Sequence, residues 1–337
     1  MERNWTTVST RILSCCWAAF LVIGLAGVSF SQEFPNRTIT IVVGMEPGAS
    51  VDVLPRILAE DAKKVLGQDI VIENKPGASH MVGLSYMLTQ KPDGYTIFSG
   101  TDAPYIRVPH MLKLKFDPIA ETVPIIFYGI FTHFIVVPAD SPFKNLRDFF
   151  VYAKENPGKL TFGNPGYGTV PYITMAGVEL ETGLKFSHIP FAGEPKEIAA
   201  LLGGHLMAAG IAIESCIAQV EAGKLRALAV LQGEKPMSAF PNIPAMKQVA
   251  KDFGMKSNVI YPGFMLAARK GTPDPAINKL VNAFEVARKS PKFQKYAKEH
   301  YIFQDNMPMV GDVLKNHLTT GYKDIGDLIQ KIGIKKK

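Results

Sequence analysis

Thr38-Ile-Thr-Ile-Val-Val43, followed by Gly44-Met-Glu-Pro-Gly-Ala-Ser50, is the stretch whose reading decides the fold. Its first part alternates and then runs apolar, as a strand buried in a parallel sheet does. Gly44 to Ser50 breaks that strand. From Val51 onward Leu54, Ile57, Leu58 and Val65 recur at helical spacing, and Gly67 ends the helix. Asp69-Ile-Val-Ile-Glu73 reads as a second strand, and Asn74-Lys-Pro-Gly77 turns the chain into a helix from Met81 to Gln90. Pro92-Asp93-Gly94 stops that helix, and Tyr95-Thr-Ile-Phe98 is a third strand. Strand, helix, strand, helix, strand is the unit of a doubly wound α/β lobe.

The pattern restarts downstream. Phe134–Val137 reads as a strand, Leu146–Glu155 as a helix opened by Asn145, and Leu160–Phe162 as a strand. The loop from Gly163 to Thr169 leads into a helix through Leu180. Phe186–Ile189, a helix from Lys196 to Leu202, His205–Ile213 and Leu225–Leu231 continue the alternation. Phe264–Ala268 is a late strand, and Pro275–Lys289, Pro291–His300 and Val310–Lys331 read as helices. The fold class is α/β, with two doubly wound lobes joined by hinge strands. Lobe 1 is expected over 34–132 plus 259–337 and lobe 2 over 133–258, with hinges near 133–138 and 258–262. In open sheets of this kind ligands bind beyond the carboxyl ends of strands, so the loops that follow strands are the ones to inspect.

Two of them are candidates. Glu46-Pro47-Gly48-Ala49-Ser50 joins a strand to a helix; Gly48 permits close backbone approach and Ser50 can cap. Free N–H groups at such a helix start form an anion site worth about 0.3–1 kcal/mol from the dipole alone. Asp52 in the first turn opposes that field, and Arg56 is spaced to pair with it. The second loop, Asn164-Pro165-Gly166-Tyr167-Gly168-Thr169, is rich in donors but lacks the Lys-Ser/Thr ending of a phosphate-binding P-loop. Either loop alone also reads as a plain turn. At equivalent places in two lobes, they would let one carboxylate bridge both.

Composition narrows the function. The chain has 337 residues, 47% hydrophobic and 20% charged, enough for two domains with a core each. Its net charge of +7 is dispersed apart from Lys335-Lys336-Lys337, so the concentrated basic face needed for nucleic-acid binding is missing. Arg3 and Arg11 precede an apolar run from Ile12 to Val28, and Ser29-Phe30-Ser31 supplies small residues for cleavage. This is the pattern of a secretory signal peptide over 1–31; an uncleaved anchor is the alternative, since the run approaches the ~20 residues that span a bilayer. Cys15 and Cys16 lie inside that segment, which leaves Cys216 as a buried apolar residue without a disulfide partner. No HExxH, paired CxxC or Gly-x-Ser-x-Gly motif occurs, and His80, His110, His133, His188, His205, His300 and His317 are scattered without ligand spacing. The reading is therefore a binding protein, not an enzyme, with no catalytic residue, metal or cofactor. Glu46 and Glu214, should their loops meet across a cleft, would select a ligand with a cationic or donor end.

Ordered blocks of sequence carry a resemblance. Phe34-Pro-Asn-Arg-Thr-Ile-Thr-Ile-Val-Val43, Asp52-Val-Leu-Pro-Arg56, Leu66-Gly-Gln-Asp-Ile-Val-Ile-Glu-Asn-Lys-Pro-Gly-Ala78 and Lys91-Pro-Asp-Gly-Tyr-Thr96 come first. Tyr152–Leu160, Leu201-Leu-Gly-Gly204, Ala222–Val230 and Gly271-Thr-Pro273 follow in order. Together they resemble the tripartite tricarboxylate transporter substrate-binding family, also called Bug proteins, over nearly the whole chain after the signal segment. The resemblance implies type II periplasmic-binding-protein (Venus flytrap) architecture. It also implies a periplasmic monomer that closes on a small carboxylate and delivers it to membrane transporter subunits. A ligand sensor for a membrane receptor or sensor kinase would carry the same sequence. By the same resemblance the loop at Pro47 to Ser50 grips the carboxylate from one lobe and that at Asn164 to Thr169 from the other. Gly100-Thr101-Asp102, Ala192-Gly193-Glu194 and Glu214-Ser215 line the rest. The chain departs from the family pattern at Met45-Glu46, Ala49 and Asn164-Pro165, positions that bear on the ligand rather than the fold.

Overall fold

β1 (Ile39–Val43) is buried along nearly all its length because it lies between β2 (Ile70–Asn74) and β3 (Thr96–Thr101), both parallel to it. The structure is a computed structural model that describes residues 33–48, 50–166, 168–191, 193–256, 262–303 and 310–336. The proposed signal segment 1–31, Ala49, Tyr167, Ala192 and the return hinge at 258–261 lie outside the described residues. Glu33–Asn36 are irregular, with a cis Phe34–Pro35 peptide bond, and Arg37–Lys337 form one compact unit.

The first sheet runs β2-β1-β3-β10-β4, where β4 is Thr122–Ile130 and β10 is Gly263–Arg269. β10 is antiparallel to both its neighbours, with Ala267 opposite Phe98 and Pro124. Strand β4 is not predicted by the sequence pattern. Pro124 argues against an interior strand, and β4 accommodates it by lying at the sheet edge with register shifts against β10. α1 (Ser50–Leu66) follows β1 and buries Leu54, Ile57 and Leu58; Gly67 ends it at φ 69°, a left-handed conformation that glycine adopts without strain. α2 (Met81–Thr89) follows β2. Short helical turns α3 (Ala103–Ile106), α4 (Val108–Met111) and α5 (Pro118–Glu121) follow β3.

Phe131 and Thr132 carry the chain across to β5 (His133–Pro138) in the second sheet. That sheet runs β7-β6-β8-β5-β9, with β6 Leu160–Asn164, β7 Phe186–Pro190, β8 Ala208–Ala212 and β9 Leu225–Val230. Strand β5 is antiparallel to β8 and β9, while β6 is parallel to β7 and β8. Its helices are α6 (Leu146–Glu155), α7 (Val170–Thr182), α8 (Glu194–Leu202), α9 (Ile213–Glu221) and α10 (Met246–Ala250). Asn145 caps α6 by accepting the Asp148 N–H at 3.0 Å. Phe143, Phe149, Phe150, Phe162 and Phe186 fill the core beneath, each worth about 1.5–3 kcal/mol of burial.

After β10 the chain stays helical: α11 (Asp274–Arg288), α12 (Pro291–Glu299) and α13 (Gly311–Lys331). α11 packs on α1. α13 places Leu314, Leu318, Ile325 and Ile329 in one cluster with Tyr105 and Ile106 of the first lobe and Ile173 of α7, so the last helix leans on both lobes. No helix among the described residues is long and apolar enough to cross a membrane. Cys216 is free and buried.

Candidate functional site

The loops that leave β1, β2, β3, β6, β7 and β8 at their carboxyl ends face one another across a cleft of about 590 Å³. That size falls within the range of small-molecule sites. α1, α7, α8 and α9 all begin at its wall, through Ser50, Thr169, Glu194 and Ala212. Unpaired N–H groups at a helix start attract anions, but three of these starts already hold a carboxylate in the first turn. α1 has Asp52, α8 has Glu194 and α9 has Glu214. Asp52 is buried and accepts the Gly48 N–H at 3.0 Å, Asn74 Nδ2 at 2.7 Å and Arg56 Nη2 at 2.8 Å. Burial opposes its charge, and these donors together carry its pKa below the ordinary value. α7 differs: it has no acidic residue in its first turn and no side-chain cap on its amides. Thr169, its N-cap, turns its hydroxyl back to the Gly166 carbonyl at 2.7 Å.

The first lobe faces α7 with side chains that sequence patterns do not single out. Ala78, Ser79 and His80 follow one another at φ 46°, 52° and 72°, a left-handed turn that stores strain in non-glycine residues. It tucks His80 beneath Gly44, where an added Cβ would come within 2.7 Å of the His80 Cβ. The ring meets the Gly44 carbonyl through Nδ1 at 3.1 Å. Arg107, between α3 and α4, is buried, and its guanidinium has one hydrogen-bond partner among the described residues, Asp102 Oδ1, 3.4 Å from Nη1. Asp102 lies beneath it with no exposure; burial, only partly offset by Arg107, raises its carboxyl to about 6. His133 stands at the crossing between lobes, its main-chain N–H and Nδ1 both bound by Gln232. Phe131 and Phe264, with ring centroids 5.1 Å apart, close an apolar side of the cleft.

Against this geometry the comparisons are decisive. The sequence profile of the tripartite tricarboxylate transporter family receptor matches residues 54–334. The chain belongs to that receptor family. A UPF0065 protein from the gbd 5' region of Cupriavidus necator is 38% identical over 281 residues, covering 82% of this chain and 84% of its own. A UPF0065 protein of Bordetella pertussis is 31% identical over 326 residues, covering 94% and 96%. Among solved structures, a TctC solute-binding protein from Polaromonas superposes with a TM-score of 0.77 at 28% identity, over 88% of this chain and 99% of that one. The tripartite tricarboxylate receptors are periplasmic solute-binding proteins, and the two-lobed α/β fold found here is theirs.

For a receptor of this family the expected site residues fall into groups. Ser50, Thr101, Gly168, Thr169, Glu194 and Glu214 line the cleft. Glu46, Pro47 and Gly48 are exposed and outside its wall, and Glu46 does not meet Glu214, whose partner is Ser50. Asp102 and Asn164 are buried behind the wall; Asn164 Oδ1 accepts the Gly166 N–H at 3.0 Å, shaping the second loop from within. Gly193 is the N-cap of α8, and Ser215 donates to Glu194. Ala49 and Tyr167 lie outside the described residues. Arg107, His80 and His133 are the additions. The one sequence signal that could have pointed to His80 is Gly44, directly after β1, against which it packs.

Proposed function

We propose that this receptor is an extracytoplasmic protein that captures a small carboxylate in the cleft between its lobes and delivers it to a tripartite tricarboxylate-type membrane transporter. The observation that carries this reading is the start of α7, uncapped and free of acid in its first turn, opening into the same cleft as the buried guanidinium of Arg107. One lobe offers the N–H groups of Val170 and Tyr172 at the start of α7, Pro171 between them having none, and the other a cation, so an anion between them has partners on both sides only when the lobes are together. Such a ligand favours the closed state by its difference in affinity between closed and open forms. We take the lobes to be 34–132 with 259–337 and 133–258, turning about 133–138 and 258–262. Export by the segment 1–31 belongs to the same proposal, as does the absence of catalysis.

A thermal-shift screen with carboxylates, their primary amides, amines and neutral sugars tests the reading. A ligand at 100 times its Kd stabilises by about 2.7 kcal/mol. Shifts confined to one or more carboxylates, absent for the matching amides, support it; a flat response to every acid, with shifts from amines or sugars, overturns it.

A further inference from the structure

Arg107, His80 and His133 are 6%, 6% and 5% exposed, and all three line the cleft. Their neighbours fix which hydrogen each ring carries. A carbonyl oxygen only accepts, so His80 carries its hydrogen on Nδ1, toward Gly44, and its Nε2 is a bare lone pair. His133 is the reverse. The main-chain N–H of His133 needs an acceptor, so the Gln232 atom 2.8 Å away is Oε1, which also takes the Thr132 hydroxyl. The Gln232 NH2 therefore donates to His133 Nδ1 at 2.9 Å, and the ring hydrogen sits on Nε2. Neither Nε2 has a hydrogen-bond partner among the described residues, neither is among the fully sealed polar atoms, and both residues line the cleft. Burial, with the charge of Arg107 added, holds both rings down at about 4, so both are neutral at physiological pH.

The cleft wall thus carries a guanidinium, an N–H donor and a lone-pair acceptor, with the Arg107 charge felt by both rings. Elsewhere its wall carries two carboxylates, Glu194 and Glu214. Both oxygens of Glu194 are already occupied, by the Ala212 N–H and the Ser215 hydroxyl.

We infer that the cleft selects a monocarboxylate bearing a neutral hydroxyl near its acid group and an apolar body, with Arg107 and His133 Nε2–H on the carboxylate and His80 Nε2 accepting from the hydroxyl. This rests on the carboxylate reading above and narrows it. An ammonium in place of the hydroxyl would stand beside the Arg107 charge, and a keto oxygen would meet the His80 lone pair. A second or third carboxylate would run into Glu194 and Glu214. The Phe131–Phe264 pair, with Val108 and Met111, suits an apolar chain or ring.

Calorimetric titration of the full mature protein with 2-hydroxy-3-phenylpropanoate, 3-phenylpropanoate, phenylalanine, succinate and citrate tests the inference. The hydroxy acid is expected to bind about tenfold tighter than the deoxy acid, the scale of one well-made hydrogen bond; phenylalanine, succinate and citrate are expected to bind more weakly than either. Arg107→Met should weaken the hydroxy acid by about a hundredfold, as loss of a charged partner does. His80→Phe should bring the hydroxy-to-deoxy ratio to about one, whatever it does to absolute affinity through the lost Gly44 contact. Should either variant fail to fold, 15N chemical shifts of the unaltered protein still decide: His80 is expected as the Nδ1–H tautomer and His133 as Nε2–H, and the opposite pair overturns the inference. Tightest binding of succinate or citrate overturns it while leaving the carboxylate reading intact. Binding of none of the acids, with uncharged solutes bound instead, removes both.

Discussion

Ser50 Oγ donates to Glu214 Oε2 at 3.2 Å, tying the start of α1 in one lobe to the first turn of α9 in the other. The contact is on the cleft wall and partly exposed, where a hydrogen bond to a carboxylate contributes about 1 kcal/mol or less. Ser50→Ala removes it without opening a cavity. The expected outcome is a small fall in melting temperature, an increase in radius of gyration of the unliganded protein in solution scattering, and a loss of ligand affinity of no more than about tenfold. An unchanged scattering profile, with unchanged affinity, would mean that the contact does not bias closure.

Thr169→Asp separates the stability of α7 from its proposed use. Thr169 has extended backbone at the N-cap but gives α7 no side-chain hydrogen bond. An aspartate there supplies both a cap and a charge favourable to the helix start, expected to stabilise the fold by about 0.5–2 kcal/mol. The same carboxylate occupies the anion site and repels the ligand. Melting temperature should therefore rise while carboxylate binding is lost. A variant that is stabilised and still binds would remove α7 from the site.

Gly168→Val acts on the same loop by shape. Gly168 sits at φ 87°, and a Cβ there would come within 2.5 Å of Met111 Sδ in the opposite lobe. Valine rarely adopts that φ and Met111 must also give way, so the loop is expected to be reshaped and binding abolished, whereas the melting temperature should fall only modestly because the loop lies outside both sheets. Retention of wild-type affinity by calorimetry would contradict this.

Much of this fold is legible in the amino-acid sequence. The apolar run of β1, the glycine at 67 and the asparagine at 145 state their local conformations through backbone chemistry alone, and each stands where its chemistry places it. β4 is hidden because Pro124 is tolerated only through its position at a sheet edge, a tertiary fact. The site is half legible. Loops that follow strands do meet at the cleft, and Ser50, Gly168 and Glu214 line its wall. Arg107 belongs to two short turns with no periodicity, and the tautomers of His80 and His133 depend on Gly44 and Gln232, which only folding brings to them.

Glu197 gives a pH prediction away from the cleft. It is fully buried, neither oxygen has a hydrogen-bond partner among the described residues, and burial, aided by the nearby Glu194, raises its carboxyl to about 8. The folded protein thus keeps a proton that the unfolded chain releases near 4.5. For a raised acid, stability is greatest at low pH and declines as pH climbs from about 4.5 toward 8, by at most about 1.4 kcal/mol per unit. Glu197→Gln, neutral throughout, should flatten that decline in denaturant titrations at pH 5 and pH 8. Parallel pH profiles for the two proteins would show that Glu197 does not titrate in this window.

The most direct test of the account is a crystal structure of the protein with the carboxylate that raises its melting temperature most. The expected density shows one acid group in contact with the first N–H groups of α7 on one side and with Arg107 on the other. Density in contact with a single lobe, or lodged by His110 and Tyr322 against the C-terminal helix, would contradict it.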